Sequence, residues 1–226
     1  MDYELNIQNN HYLAVINGRN FIIDTGSALS FVFDKSLTEI EIDGRPFPMS
    51  VNPLRLNQKK LEELIGVQIA GLLGLDLFGE SGFLCLDKER MTVSFKTTAL
   101  SPDAKSLPFT NMLALMASAT LNGQERSVIL DTGAQIGYLS RDAAEGLEPK
   151  GKITDYAPSF GGEIKTESYA VPVEICGEES VSTMGEMKGL LKMTLGMLGV
   201  DGIIGLNDFR WTKLVFDFYL NEMVFE

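Results

Sequence analysis

Two short segments carry most of the chemistry that can be read from this chain: Asp24-Thr25-Gly26-Ser27 and Asp131-Thr132-Gly133-Ala134. A single Asp-Thr-Gly tripeptide occurs by chance in many unrelated proteins and signifies little. Here there are two, delivered by the apolar runs Phe21-Ile22-Ile23 and Val128-Ile129-Leu130, and each followed by a small residue. An apolar strand brings the aspartate to a buried loop, threonine offers a hydroxyl to a neighbouring loop, and glycine lets backbone approach closely. Two such loops related by a repeat would bring Asp24 and Asp131 face to face. Two carboxylates sharing one site do not both ionise; one proton is held between them and the pair titrates as a unit. The ionised member can take a proton from water while the protonated member polarises a carbonyl oxygen, so that water attacks an amide without a covalent intermediate.

Composition closes most other routes. The one histidine, His11, excludes His-based triads and multi-His metal sites, and reads as a solvated residue of the Asn9-Asn10-His11 turn. The two cysteines, Cys85 and Cys176, form no CxxC pair, which argues against a zinc site or a disulfide scaffold; they read as buried free thiols. With 19 basic and 31 acidic residues the net charge is −12, which argues against nucleic acid and anionic lipid as partners. No segment reaches the ~18 apolar residues of a membrane span. Met1-Asp2-Tyr3-Glu4-Leu5 has neither a basic start nor an apolar run, so the expectation is no leader and a cytoplasmic location. Neither a metal nor a cofactor is expected. A glycosidase fits poorly, because its carboxylates stand ~5–9.5 Å apart rather than touching. A metal-dependent phosphatase would want more clustered oxygen ligands than Asp-Thr-Gly offers.

The elements that must position these loops repeat. The chain has 226 residues, 45% of them apolar, which is enough for a sizeable core. An Asn-Gly turn signal precedes each tripeptide, at Asn17-Gly18 and Asn122-Gly123. Gly71-Leu72-Leu73-Gly74 then matches Gly202-Ile203-Ile204-Gly205. Two strand pairs close the halves, Phe83–Asp87 with Met91–Phe95, and Leu214–Phe218 with Glu222–Phe225. Three blocks in the same order indicate two copies of one unit, with a break near Thr97 to Pro108. The expected division is a lobe over residues 1–98 and a lobe over residues 99–226. Most segments are short, β-branched and bounded by Gly, Asn or Pro, which is a strand pattern; 111–121 is read as a strand as well. Helical spacing occurs at Leu61, Leu64 and Ile65 and again from Met187 to Leu198, where the methionines read as core filler.

These motifs resemble those of retropepsin-type aspartic proteases, with two units fused in one chain. The Asp-Thr-Gly loops resemble the family's catalytic loops, and the two Gly-x-x-Gly segments resemble the apolar stretch that packs beneath them. Phe160-Gly161-Gly162-Glu163-Ile164-Lys165 and Val173-Glu174-Ile175-Cys176-Gly177 are similar to the flap hairpin of retroviral proteases and its return strand. The resemblance implies an all-β, bilobal acid-protease fold with pseudo-two-fold symmetry and a few short helices. It implies a catalytic dyad of Asp24 and Asp131, with Thr25 and Thr132 cross-bonding the loops and Gly26 and Gly133 lining the cleft floor. Ser159, Phe160, Gly161, Gly162, Glu163 and Ile164 would form a flap over an extended peptide or protein substrate. Fusion supplies both aspartates, so a monomer suffices for catalysis. The competing reading keeps the fold without the chemistry, as a non-catalytic peptide-binding or dimerisation module.

The halves are unequal. The stretch from Asp24 to Gly71 is much shorter than that from Asp131 to Gly202, and Asp43–Met49 offers one glycine and two prolines where a flap would lie. One full flap, from the second half, is therefore expected, with a stubby loop in the first. Ala70 stands where the second half has Asp201. Ser27 carries a hydroxyl that Ala134 lacks; donated to Asp24, it would make Asp24 the ionised partner and leave the proton on Asp131.

Overall fold

The computed structural model describes residues 1–157 and 162–226. Among the described residues there are twenty strands, and eighteen join one continuous hydrogen-bonded network. Its middle is a six-strand platform. Strand Phe83–Asp87 pairs with strand Lys213–Asp217, with Cys85 opposite Val215. Outward on one side lie Thr92–Ser94 and then Asp2–Gln8. Outward on the other lie Glu222–Phe225 and then Lys105–Asn111. The order is the same read from either edge, each half of the chain giving three strands.

From each outer strand the chain folds back into a hairpin that delivers one Asp-Thr-Gly loop. His11–Ile16 pairs with Arg19–Ile23 around Asn17-Gly18, whose φ values of 51° and 73° suit the residue types that tolerate the left-handed region. Leu115–Leu121 pairs with Gln124–Asp131 around Asn122-Gly123 in the same way. Each delivering strand is then flanked by a short parallel partner. Phe21, Ile22 and Ile23 run beside Gly71, Leu72 and Leu73, and Val128 to Asp131 run beside Gly202 to Gly205. These strands are buried on both faces, which explains their unbroken apolar sequence. Glycine at 71 is required: an added Cβ would overlap the carbonyl of Phe31 on the neighbouring strand.

Two helices pack where the sequence shows helical spacing. Helix α1 (Gln58–Ile65) starts at Asn57, whose side chain accepts from the Lys60 N–H, and stops at Gly66, which takes a φ of 90°. It covers an apolar cluster of Leu13, Ile22, Phe31, Ile65, Ile69 and Leu72. Helix α2 (Leu75–Ser81) follows Gly74, and a single 3-10 turn (Leu206–Asp208) follows Gly205. Helix α3 (Gly189–Met197) packs Leu191 and Leu195 against Ile129, Tyr138, Met187 and Ile203. Of its methionines, Met193 and Met197 are 59% and 83% exposed, so only Met187, just before the helix, is core filler. A nine-residue helix has room for one buried stripe, and Leu191 and Leu195 occupy it.

The first half also departs from the sequence reading. Asp43–Met49 is part of a true two-stranded hairpin, Glu39–Ile42 with Arg45–Pro48, closed by Asp43-Gly44 at positive φ. Ile40, Ile42, Phe47 and Met49 point into the core. An Asp-Gly turn between alternating residues was the signal for it. No helix among the described residues is long and apolar enough to cross a membrane.

Candidate functional site

The two Asp-Thr-Gly loops meet at the floor of a cavity of about 200 Å³. Thr25 and Thr132, both fully buried, lock them together. The Thr25 hydroxyl donates to the Leu130 carbonyl (2.8 Å) and accepts from the Thr132 N–H (3.0 Å). The Thr132 hydroxyl donates to the Ile23 carbonyl (2.8 Å) and accepts from the Thr25 N–H (3.0 Å). Each hydroxyl thus satisfies two backbone groups of the opposite loop, out of reach of bulk solvent. Thr25→Val keeps the shape but leaves the Leu130 carbonyl and the Thr132 N–H unpaired, at about 1–3 kcal/mol for each buried group. We expect T25V and T132V each to lower stability by a few kcal/mol in denaturant titration. Each removes a different pair of bonds in one network, so the double variant should depart from the sum of the two by a measurable coupling energy.

Above this lock Asp24 and Asp131 stand next to one another at the cavity floor, each against the glycine of the opposite loop. The Gly26 N–H donates to Asp24 Oδ1 (2.9 Å) and the Gly133 N–H to Asp131 Oδ1 (2.8 Å). Each glycine also abuts the opposite acid. A Cβ on Gly133 would lie 2.7 Å from Asp24 Cγ, and one on Gly26 would overlap the Asp131 carboxyl oxygens. Burial pushes both acids above the usual carboxylate range, and the charge of Asp131 pushes Asp24 further. Both acids thus favour the protonated form more than a free carboxyl does. The hydrogen bond expected from Ser27 to Asp24 is not formed. The Ser27 hydroxyl turns away and donates to the Leu29 carbonyl (3.0 Å), while one glycine N–H serves each acid alike. Ser27 and Ala134 line the cavity beside their aspartates.

The long hairpin Gly151–Ala157 with Gly162–Ile175 rises beside the cavity, pairing Ala157 with Gly162. Ser159, Phe160 and Gly161 lie outside the described residues. Gly162, Glu163 and Ile164 begin the second strand; Ile164 packs against the α3 cluster, and Glu163 pairs with Lys165 at 3.0 Å and with Lys60 of α1 at 3.9 Å. Lys60 also sits 4.2 Å above the ring of Tyr156. Asp155 and Tyr156 of the hairpin line the cavity.

Two contributors were missed in the sequence. The opposite wall is built by Leu54, Leu56, Leu61, Leu64 and Ile65, on α1 and the segment before it. The other is His11, which lines the cavity instead of standing in solvent. Its Nδ1 bonds the Asn9 carbonyl (2.9 Å). The turn is pinned from both sides, Asn9 Nδ2 donating to the Leu64 carbonyl (2.9 Å) and Asn207 Nδ2 donating to the Asn10 carbonyl (2.6 Å). The signal was the hairpin register: with Leu13 opposite Ile22, two further steps bring His11 level with Asp24. Burial pushes the imidazole below its ordinary value, against a smaller upward pull from backbone carbonyls and from Asp131 and Asp155. As the chain's one histidine it gives a single imidazole resonance pair, and we expect its NMR titration midpoint below about 6.5.

No protein-family model matches the chain, and no curated protein matches its sequence. Solved structures do match. The crystal structure of the aspartic proteinase from Irpex lacteus is similar with a TM-score of 0.57 at 12% identity, over 100% of this chain and 96% of that one. The solution structure of the Simian Foamy Virus (mac) protease aligns over 41% of this chain and 89% of its own at 14% identity, with a TM-score of 0.31. The fold is predominantly β with a few helices and is similar to the bilobal aspartic-protease folds.

Proposed function

We propose that this chain is an aspartic endopeptidase made of two retropepsin-type units fused in one chain, residues 1–98 and 99–226, each giving one catalytic aspartate. The observation that carries this reading is the pair of cross-bonded Asp-Thr-Gly loops, which sets Asp24 and Asp131, both raised by burial, side by side at a cavity floor. Such a pair supplies an acid and a base within one site, and needs no histidine, thiol or metal.

In the reaction so read, a peptide lies extended between the floor and the hairpin around Gly151–Ala157. Asp131 takes a proton from a water whose oxygen bonds to the scissile carbonyl carbon. Asp24 gives its proton to the carbonyl oxygen, so the tetrahedral intermediate is a neutral gem-diol. The acid at Asp131 then protonates the amide nitrogen as the C–N bond breaks, one hydroxyl proton returns to Asp24, and the dyad is restored. The Gly26 and Gly133 N–H bonds keep both carboxyls in the geometry needed at each step. The flap role expected of residues 159–164 belongs to this reading, in which one protomer is complete.

The test is incubation of the purified chain with a diverse peptide library from acid to neutral pH, with and without a statine-type transition-state mimic. Cleavage that the mimic blocks and a chelator does not is the expected result. Peptide binding without cleavage overturns the catalytic reading and favours a recognition module.

A further inference from the structure

We infer that Asp155 is a specificity-determining residue that receives a lysine or arginine side chain of the bound peptide; this rests on the peptidase reading above. Asp155 lies on the hairpin strand Gly151–Ala157 and lines the cavity that holds Asp24 and Asp131. Its Oδ2 accepts a 2.6 Å hydrogen bond from the Tyr138 hydroxyl. Tyr138 is 3% exposed and packed among Ile129, Leu191 and Ile203, so the carboxyl is held from one side by an immobile donor. Burial and the Asp155 carboxylate keep that phenol protonated far above its ordinary range.

Among the described residues, Asp155 has no cationic partner within 4 Å and Oδ1 has no hydrogen bond; residues 158–161 include no Lys or Arg. The cavity lining contains none either. Lys60, at the rim, is directed to the Tyr156 ring and to Glu163. The charges that line the cavity are thus three acids and one histidine that burial keeps neutral, in a chain of net charge −12. A carboxylate held in place, half-buried and unpaired is an incomplete ion pair. A peptide cation completes it, and the methylene stem of lysine or arginine packs on an apolar wall such as that of Leu54, Leu56 and Leu61.

The alternative role for Asp155 is structural, an acceptor that ties the hairpin to Tyr138. Asp155→Asn separates the two, because its side-chain carbonyl still accepts from the phenol while the charge is gone. The experiment compares matched peptides that differ by Lys against Met at each position around a library cleavage site. We expect a Lys-over-Met preference in kcat/KM at one position for the wild type. In D155N that ratio should fall roughly 10–100-fold, the range of a charge-assisted bond, carried mostly by KM. In the wild type it should shrink with added salt. An unchanged ratio in D155N, or Met preferred at every position, overturns the inference. If nothing is cleaved, the peptidase reading fails by itself. The same peptide pairs are then titrated against the wild type and D155N, with the single His11 imidazole resonance as the readout of cavity occupancy. Tighter binding of the Lys peptide, lost in D155N, sustains the role of Asp155; equal binding, or none, overturns it.

Discussion

Asp24→Asn and Asp131→Asn should each lower peptide hydrolysis by at least roughly 10²–10⁴-fold, the range for losing a positioned general acid–base. The two losses should not add, because either change leaves the other carboxyl without the partner it exchanges a proton with. The asparagines are near-isosteres and can keep the glycine N–H bonds, so binding of a transition-state mimic separates lost chemistry from lost structure. Stability moves the other way, and the sign follows from the raised acids. A carboxyl whose folded-state value lies above its unfolded one holds its proton more tightly when folded. The stability this gives is complete below the ordinary carboxylate range near 3.8 and is lost as pH rises through the raised folded-state value. At neutral pH the folded wild type must keep a proton that its unfolded chain would release or else bury a second charge, and D24N removes that cost. D24N should melt above the wild type at neutral pH, and the gap should close on acidification; a gap that stays constant with pH would show the pair is not protonation-linked, and one that widens in acid would reverse the sign.

Gly26→Ala carries the second large effect. Its Cβ would occupy the volume of the Asp131 carboxyl, and that carboxyl cannot retreat without leaving the Gly133 N–H and Asp24 together. A shift of about 1 Å in a reacting group costs on the order of 10²-fold, and a full carboxyl displacement more. We expect G26A to fold yet lose at least two orders of magnitude in kcat, with Gly133→Ala close behind. Gly123→Ala is the control. It takes the same extra carbon at φ 75° with nothing within 4 Å, so only the backbone strain of about 1–2 kcal/mol should register, in stability and not in turnover.

The parts of this molecule that local sequence dictates were legible in advance. Asp24 and Asp131, their threonines and the parallel Gly-x-x-Gly partners are read from apolar runs and obligatory glycines. The roles of those residues belong to the proposal, but their juxtaposition rests on spacing that repeats. What escaped was set by tertiary geometry. The Ser27 hydroxyl had two acceptors within reach, and the loop presents Leu29, not Asp24. His11 looked solvated because its neighbours are polar, though those same asparagines are what pin it at the cavity edge. The α1 wall was hidden because helical spacing shows that Leu61, Leu64 and Ile65 share a side, not what that side faces. Met193 and Met197 show the same limit from the other direction.

The central platform sets an order of events for the nascent chain. Phe83–Asp87 has a local partner in Thr92–Ser94, but its other edge is filled by the distant Lys213–Asp217, and Lys105–Asn111 reaches the platform through Glu222–Phe225. Contacts that distant form late and slowly. The Thr25–Thr132 lock likewise waits for both loops. During synthesis, then, Asp24 is made long before Asp131 can meet it, and a partly translated polypeptide holds one solvated acid and no shared proton. Any chemistry that needs both acids therefore arrives only with topological closure, when the two halves of the platform have met.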